Sequence, residues 1–328
     1  MTSPILSVRD LKVHFPVPAG GILRRRWVPL KAVDGVSFDL AQGETLGIVG
    51  ESGCGKSTLG RAVLQLIPPT AGQVTWLGHN LTGLDTSRLR RYRRDLQIIF
   101  QDPLASLDPR MPIGEIIAEP LRTHEPKLPR TEVRSRVQAM MRAVGLLPQM
   151  INRYPHEFSG GQCQRIGIAR AMILRPKLIV CDEPVSALDV SIQAQIVNLL
   201  MDLQREFGLS LIFISHNLAV VRHICHRMMV LYLGRVAEIA DRDQLYENPR
   251  HPYTQALISA VPLPDPMLEK NRRRIVLKGD LPSPLNPPSG CVFRTRCPHA
   301  TELCARVVPP LETVEPGHEA ACHYWRET

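Results

Sequence analysis

A glycine-rich run between an apolar strand and a helix constrains this chain more than any other feature. Gly50-Glu-Ser-Gly-Cys-Gly55-Lys56-Ser57 matches G-x-x-x-x-G-K-[ST]; the apolar stretch Thr45 to Val49 precedes it, and Thr58 to Ile67 follows with helical character. Glycines let the chain curl so that backbone N–H groups face a phosphate at a helix N-terminus. In such a loop Lys56 reaches the β and γ oxygens of a nucleoside triphosphate, and the Ser57 hydroxyl ligates Mg²⁺. Gly50, Ser52, Gly53, Gly55, Lys56, Ser57 and Thr58 are therefore the candidate ATP-binding residues. The loop needs a metal-holding carboxylate at the end of a neighbouring buried strand, and Leu178-Ile-Val-Cys-Asp182-Glu183 supplies one. Asp182 is the expected Mg²⁺ holder, and Glu183 can orient the attacking water and take its proton. Taken alone, two acids closing a strand read as a solvated strand end; beside the phosphate loop they read as catalytic.

Around these motifs strand and helix patterns alternate. Leu6 to Phe15 and Val33 to Leu40 partly alternate apolar and polar residues and predict a small antiparallel edge. Thr45 to Val49, Leu178 to Cys181 and Leu209 to Ile214 are short and continuously apolar, which suits strands covered on both faces. Ile192, Ile196, Leu199, Leu200, Leu203 and Phe207 recur at helical spacing before Gly208. The pattern implies an α/β fold with a largely parallel sheet. From Gln101 to Pro176 it turns mostly helical, Thr131 to Leu147 most clearly, so a helical subdomain inserted at about 102–176 is expected. Seven prolines from Pro262 to Pro288 exclude regular helix or central strand there. They place a boundary between a domain at 1–262 and an extension at 263–328.

No stretch reaches the roughly 18 apolar residues that span a bilayer, and Met1 to Asp10 lacks an export signal, so neither insertion nor export is expected. The formal net charge of +9 suits nucleic acid, an anionic membrane face or a phosphate ligand, and cannot choose among them. Its densest pieces, Arg24-Arg25-Arg26 and the run Arg88 to Arg94, read as solvated faces or as phosphate or lipid contacts. Of the eight cysteines, Cys54, Cys163, Cys181 and Cys225 are scattered, whereas Cys291, Cys297, Cys304 and Cys322 crowd the C-terminal end. In a reducing compartment such a cluster more often binds metal than forms disulfides.

Phe158-Ser159-Gly160-Gly161-Gln162 lies shortly before the acidic strand, Gln101 follows Ile98-Ile-Phe100, Ser186-Ala-Leu-Asp189 follows the acids, and His216 follows Phe213-Ile-Ser215. This set resembles the ABC-type ATPases. The resemblance implies a signature motif at Ser159, Gly160, Gly161 and Gln162, a D-loop at Asp189 and a switch histidine at His216. It also implies a Q-loop glutamine at Gln101, placed with the catalytic residues and with the Mg²⁺ contacts. Without it, His216 is a surface histidine and Gln101 an ordinary polar residue at a strand end. Phe15 is its candidate for stacking on adenine, and equally continues the core alternation Leu11, Val13, Phe15. ATP in this family lies between the phosphate loop of one subunit and the signature of another, so a chain with one copy of each needs a partner ATPase.

Lys31 to Phe38, Ile99-Phe-Gln-Asp-Pro103, Ser106-Leu-Asp-Pro109 and Arg153-Tyr-Pro-His-Glu-Phe158 narrow the resemblance to the ATPase subunits of oligopeptide and dipeptide uptake systems, which include nickel importers. The loop Pro16 to Pro29 and Gly161-Gln-Cys163-Gln-Arg165 are most similar to the second subunit of the ATPase pair. His251 to Leu257 and Leu281 to Cys291 resemble that branch's C-terminal extension. There Cys291, Cys297, Cys304 and Cys322 can hold a [4Fe–4S] cluster or zinc; the spacing lacks the paired C-x2-C of zinc ribbons, and the resemblance favours iron–sulfur. The resemblance implies an ATPase on the cytoplasmic face of the inner membrane that energises uptake. Its implied partners are a paralogous second ATPase, two permease subunits and an extracytoplasmic solute-binding protein, with no nucleic acid. The competing readings are a soluble ABC ATPase acting on nucleic acid or ribosomes, and an iron–sulfur sensor switched by ATP.

Overall fold

The computed structural model describes residues 3–19, 26–262 and 274–327. Its strands are β1 (Leu6–Ala19), β2 (Arg26–Leu40), β3 (Thr45–Val49), β4 (Ala71–Trp76), β5 (His79–Asn80), β6 (Leu96–Ile99), β7 (Leu178–Asp182), β8 (Ser210–Ile214), β9 (Arg227–Tyr232), β10 (Arg235–Asp241), β11 (Glu312–Glu315) and β12 (His318–Ala320). Its helices are α1 (Lys56–Val63), α2 (Thr86–Arg90), α3 (Ile113–His124), α4 (Arg130–Ala143), α5 (Gly160–Met172), α6 (Val190–Phe207), α7 (Leu218–Ile224), α8 (Arg242–Glu247), α9 (Pro252–Ser259) and α10 (Glu302–Arg306). The chain forms two compact units, the first from Leu40–Thr45 and Gly83–Ser215 with the N-terminal residues, the second from Pro4–Asp39, Leu46–Thr82 and His216–Thr328.

In the first unit β6, β7 and β8 run parallel, in register from Leu96↔Leu178 to Ile99↔Cys181 and from Leu178↔Ser210 to Asp182↔Ile214. Every residue of β7 and β8 is buried, which their continuous apolar runs require. The helical segment between β6 and β7 packs α3 on α4 and α5, burying Ile113, Ile116, Ile117 and Leu121 of α3. Pro112 and Pro129 precede helices, where no N–H is missed, but Pro120 lies inside α3. Helix α6 buries Ile196, Val197, Leu200 and Leu203 and ends at Gly208, whose φ of 63° closes the helix. Gln204 Nε2 then ties α6 to the start of β3, donating to the Gly43 carbonyl at 2.9 Å and to Thr45 Oγ1 at 2.8 Å.

The arginine run from Arg88 is engaged within this unit. Asp85 caps α2 by accepting from the Arg88 N–H at 2.8 Å, Arg90 donates to the Thr123 carbonyl at 2.9 Å, and Arg94 pairs with Glu125 at 2.6 Å.

In the second unit an antiparallel sheet of order β2-β1-β4-β5 forms the expected edge. Both long strands exceed the lengths the alternation predicts, β1 running on through Pro16 and Pro18. Pairing with β4 covers only Leu6 to Lys12, so these prolines lie past it and withhold no N–H from β4. The segment expected as a loop from Pro16 to Pro29 is thus strand at both ends; Arg24 and Arg25 lie outside the described residues, and Arg26 opens β2. The second sheet of this unit pairs β3 with β9 in parallel, then β9 with β10, β10 with β12 and β12 with β11 antiparallel.

This last hairpin is anchored by buried polar groups. Glu238 on β10, fully buried, accepts from the backbone N–H groups of Arg250 at 2.6 Å and His251 at 3.0 Å and from His318 Nε2 at 2.7 Å. His251 Nδ1 accepts from the Tyr253 N–H at 3.0 Å, so this ring is held neutral at the start of α9. Burial lowers its pKa from 6.5 to about 4, the Glu238 charge acting the other way. Between these values the unfolded chain binds a proton that the folded chain does not, so acid favours unfolding. Acidification from pH 7 to 4.5 is expected to cost roughly 3 kcal/mol at this site, read as a lower urea midpoint. A midpoint unchanged across that range would contradict a buried neutral His251.

Candidate nucleotide site

The second unit carries the phosphate loop between β3 and α1. Gly50, Gly53 and Gly55 have φ of 151°, 78° and 101°, the region glycine alone enters without strain. Two of them are also hemmed in, since a Cβ on Gly50 would stand 2.2 Å from the Leu231 carbonyl oxygen and one on Gly55 2.0 Å from that of Ala32. Gly55 is the N-cap of α1 and contributes no side-chain cap, which leaves the first N–H groups of the helix to a ligand. Lys56 is buried, its ammonium donating to the carbonyls of Gly50 at 2.8 Å and Glu51 at 3.0 Å. Ser52 and Gly53 are exposed, while Ser57 and Thr58 on α1 are half-buried. Burial pushes the Cys54 thiol up, against the pull of the Lys56 charge, so this cysteine stays protonated within the loop.

Phe15 and His216 belong to the same unit. Phe15 is half-buried on β1, and His216 is exposed in the turn before α7, where Asn217 caps the helix by accepting from the N–H groups of Ala219 and Val220.

The first unit carries the acids. Asp182 is the fully buried last residue of β7. Glu183 follows with φ of 48°, a left-handed conformation that costs on the order of 1–3 kcal/mol for a residue with a side chain. It is held there by its own backbone, the Glu183 N–H donating to Ile214 at 3.1 Å and its carbonyl accepting from Ser186 Oγ at 3.1 Å. The turn aims the carboxylate at Gln101, whose Nε2 donates to Glu183 Oε2 at 3.0 Å. Gln101, read only from the resemblance, and Glu183, read from the acidic strand end, are 82 positions apart in sequence and are thus brought into contact.

Ser159 caps α5 through a reciprocal box: its Oγ accepts from the Gln162 N–H at 3.3 Å and its N–H donates to Gln162 Oε1 at 3.0 Å. Gln162 therefore organises the helix start, and the backbone N–H groups of Gly160 and Gly161 lie at its free N-terminal end. The Ser-x-x-Gln spacing is the sequence signal for this box. A Cβ on Gly161 would come within 2.6 Å of Ile192 Cγ2, so α5 and α6 approach where only glycine fits. Asp189 is exposed at the N-cap of α6, its carbonyl accepting from the Gln193 N–H at 2.8 Å.

The expected metal site at the C-terminal end is not assembled. Among the described residues no group of three or more His, Cys, Asp or Glu side chains is placed to hold a metal ion. Cys291, Cys297, Cys304 and Cys322 nevertheless share a neighbourhood: burial pushes Cys322 up to about 11, and the charges of Cys297, Cys291 and Cys304 push the same way. The Cys291 N–H donates to the Cys304 carbonyl at 2.7 Å.

Among the described residues no helix is long and apolar enough to cross a membrane. Residues 33–186 match the ABC transporter family, and residues 237–304 match the oligopeptide/dipeptide transporter C-terminal region. The oligopeptide transport ATP-binding protein OppF of Salmonella typhimurium is 65% identical over 311 residues, covering 94% of this chain and 92% of its own. AppF of Bacillus subtilis, also an oligopeptide transport ATP-binding protein, is 53% identical over 322 residues, covering 98% and 97%. Among solved structures, CbiO1 of Clostridium perfringens, part of an ABC transporter complex, aligns with a TM-score of 0.64 at 25% identity, over 75% of this chain and 91% of its own. A dimeric ATP-binding cassette bound to ADP and phosphate aligns with the same TM-score of 0.64 at 28% identity, over 72% and 98%. Phosphate loop, capped glycine-rich helix start and acidic strand end, in this order along the chain and with these relatives, place the chain in the ABC transporter family, among the ATP-hydrolysing, Mg²⁺-dependent subunits of its oligopeptide/dipeptide branch.

Proposed function

We propose that this chain energises the uptake of oligopeptides, dipeptides or a related small solute through a membrane permease. The observation that carries the reading is the similarity to oligopeptide transport ATP-binding proteins along nearly the whole chain, C-terminal extension included. In the cycle we propose, the Gly50 to Thr58 loop cradles ATP, Ser57, Asp182 and Gln101 hold Mg²⁺, and Phe15 stacks on the adenine. The signature N–H groups of Gly160 and Gly161 and the Ser159 hydroxyl face the γ-phosphate of ATP held by a partner ATPase, a paralogue, across a closed dimer. Asp189 lies at the same interface. Glu183 takes the proton of the attacking water and His216 contacts the γ-phosphate; loss of that phosphate removes the bridging charge and lets the dimer reopen. Two permease subunits convert this motion into transport, and an extracytoplasmic binding protein delivers the solute. Placement on the cytoplasmic face of the inner membrane belongs to this proposal.

The four C-terminal thiols as holders of a [4Fe–4S] cluster are also part of it, supported by their shared neighbourhood and by the resemblance. The cluster would act as a staple for a short segment rather than an electron carrier.

The test is affinity capture of the full chain from its own membranes without oxygen, followed by ATPase assays with candidate peptides and Ni²⁺ in the presence of the co-captured binding protein. Recovery of two permease subunits and a second ATPase, with solute-stimulated hydrolysis, is expected. Ribosomes or DNA-bound proteins in their place would overturn transport. In the same preparation about four irons per chain support the cluster, and metal-free or zinc-loaded protein ends that part of the proposal.

A further inference from the structure

Residues far down the chain grip the phosphate loop within the second unit. Every polar group of Glu51, the residue after Gly50, is engaged. Its N–H donates to Tyr253 Oη at 2.9 Å, its carbonyl accepts from Lys56 Nζ at 3.0 Å, and its carboxylate accepts from Arg296 Nη1 at 2.7 Å. The ion pair is sheltered, with side-chain exposures of 10% for Arg296 and 27% for Glu51, so water screens it far less than a surface pair.

Arg296 is itself held in place. Its N–H donates to the Phe293 carbonyl at 3.0 Å, and Phe293, 1% exposed, sits among Tyr232, Tyr253 and His251 with ring centroids 5.2, 5.4 and 5.5 Å away. Phe293 and Arg296 share one turn between Cys291 and Cys297, so seating the ring aims the guanidinium.

The peptide planes on both sides of Glu51 belong to the loop whose N–H groups must point at phosphate. Tyr253 fixes one plane and Lys56 the other. Bound ATP draws on the three donors of the Lys56 ammonium, whereas the grip of Arg296 and Tyr253 on the loop does not depend on them. A preformed loop loses less conformational entropy on binding, which appears as affinity.

We infer that Arg296, acting through Glu51, is a positioning residue for the phosphate loop, so that the Cys-rich extension sets the chain's affinity for ATP. This rests on the proposed role of the loop in binding ATP.

The test titrates the full chain with a fluorescent N-methylanthraniloyl-ATP in excess Mg²⁺ and records the melting of each nucleotide-free variant. Arg296→Gln is expected to weaken binding about tenfold, the scale of one hydrogen bond to a charged group. Glu51→Gln is expected to match it, the double variant to lose no more than either single one, and Arg296→Lys to recover most of the affinity. In ATPase assays the loss falls on KM for ATP rather than on kcat. Wild-type affinity in Arg296→Gln, or single losses that multiply in the double variant, would overturn the inference. Should Arg296→Gln fail to fold, Glu51→Gln reads the same contact from the loop side, and wild-type affinity there overturns it equally. A wild-type chain that does not bind the probe overturns the ATP-binding role of the loop itself, a separate failure.

Discussion

Glu183→Gln is expected to leave ATP binding intact and to lower turnover in the assembled transporter by about two to four orders of magnitude, the range over which positioned general bases act. The substitution is isosteric, and the amide oxygen of the new side chain can still accept from Gln101 Nε2, which now stands 3.0 Å from Glu183 Oε2. The strained φ of 48° is fixed by backbone bonds to Ile214 and Ser186 that the change does not touch. What disappears is the basic oxygen to which the proposed cycle gives the water's proton. Nucleotide retention and phosphate release, measured on one preparation, check both halves: trapped ATP with little release is the expected pair. Release near the wild-type rate would assign the base to another residue.

Gly55→Ala is expected to weaken ATP binding at least a hundredfold and to lower stability by about 2–4 kcal/mol, combining overpacking with a forced left-handed backbone. The new methyl would meet the Ala32 carbonyl oxygen at 2.0 Å, and Gly234 Cα lies 3.6 Å away, so neither β2 nor the turn after β9 can yield without unseating the loop. Gly53→Ala is the matched control. Its φ of 78° makes it strained as well, but a Cβ there meets nothing within 4 Å, so only about 1–2 kcal/mol of backbone cost is expected. Thermal melting with and without nucleotide separates the two; equal effects at both positions would mean that backbone conformation alone, and not packing against Ala32, decides the loop.

The chemistry-bearing motifs are the most legible part of this sequence because each is local. Gly50 to Ser57 specifies its own curl, and the apolar runs at β7 and β8 announce burial on both faces without outside information. The reciprocal cap of Ser159 and Gln162 goes unread, because their resemblance to a signature points to a ligand role, although Ser-x-x-Gln spacing is its sequence signal. Strand extent was less legible at β1, where Pro16 and Pro18 signal a loop unless one knows that pairing with β4 has already stopped at Lys12. The cysteines mark the opposite limit: spacing places four thiols near one another but does not say whether the sulfurs converge on one point. Nothing in the sequence links Glu51 to Arg296, 245 positions away, since such a contact exists only once the Phe293 ring is seated.

The wiring of the second unit also sets a schedule. Ribosomes deliver the phosphate loop well before β9, and among the described residues of that unit β3 has no parallel neighbour until β9 is made, beginning with the pairing Leu46↔Arg227. Tyr253 arrives 202 positions after Glu51, and Arg296 245 positions after it. A growing chain therefore carries the glycine-rich segment for a long stretch of synthesis without the contacts from β9, Tyr253 and Arg296. The final grip on the loop closes only once Arg296 has emerged, so a truncated product that has lost this residue keeps the nucleotide motif in writing but not its full support.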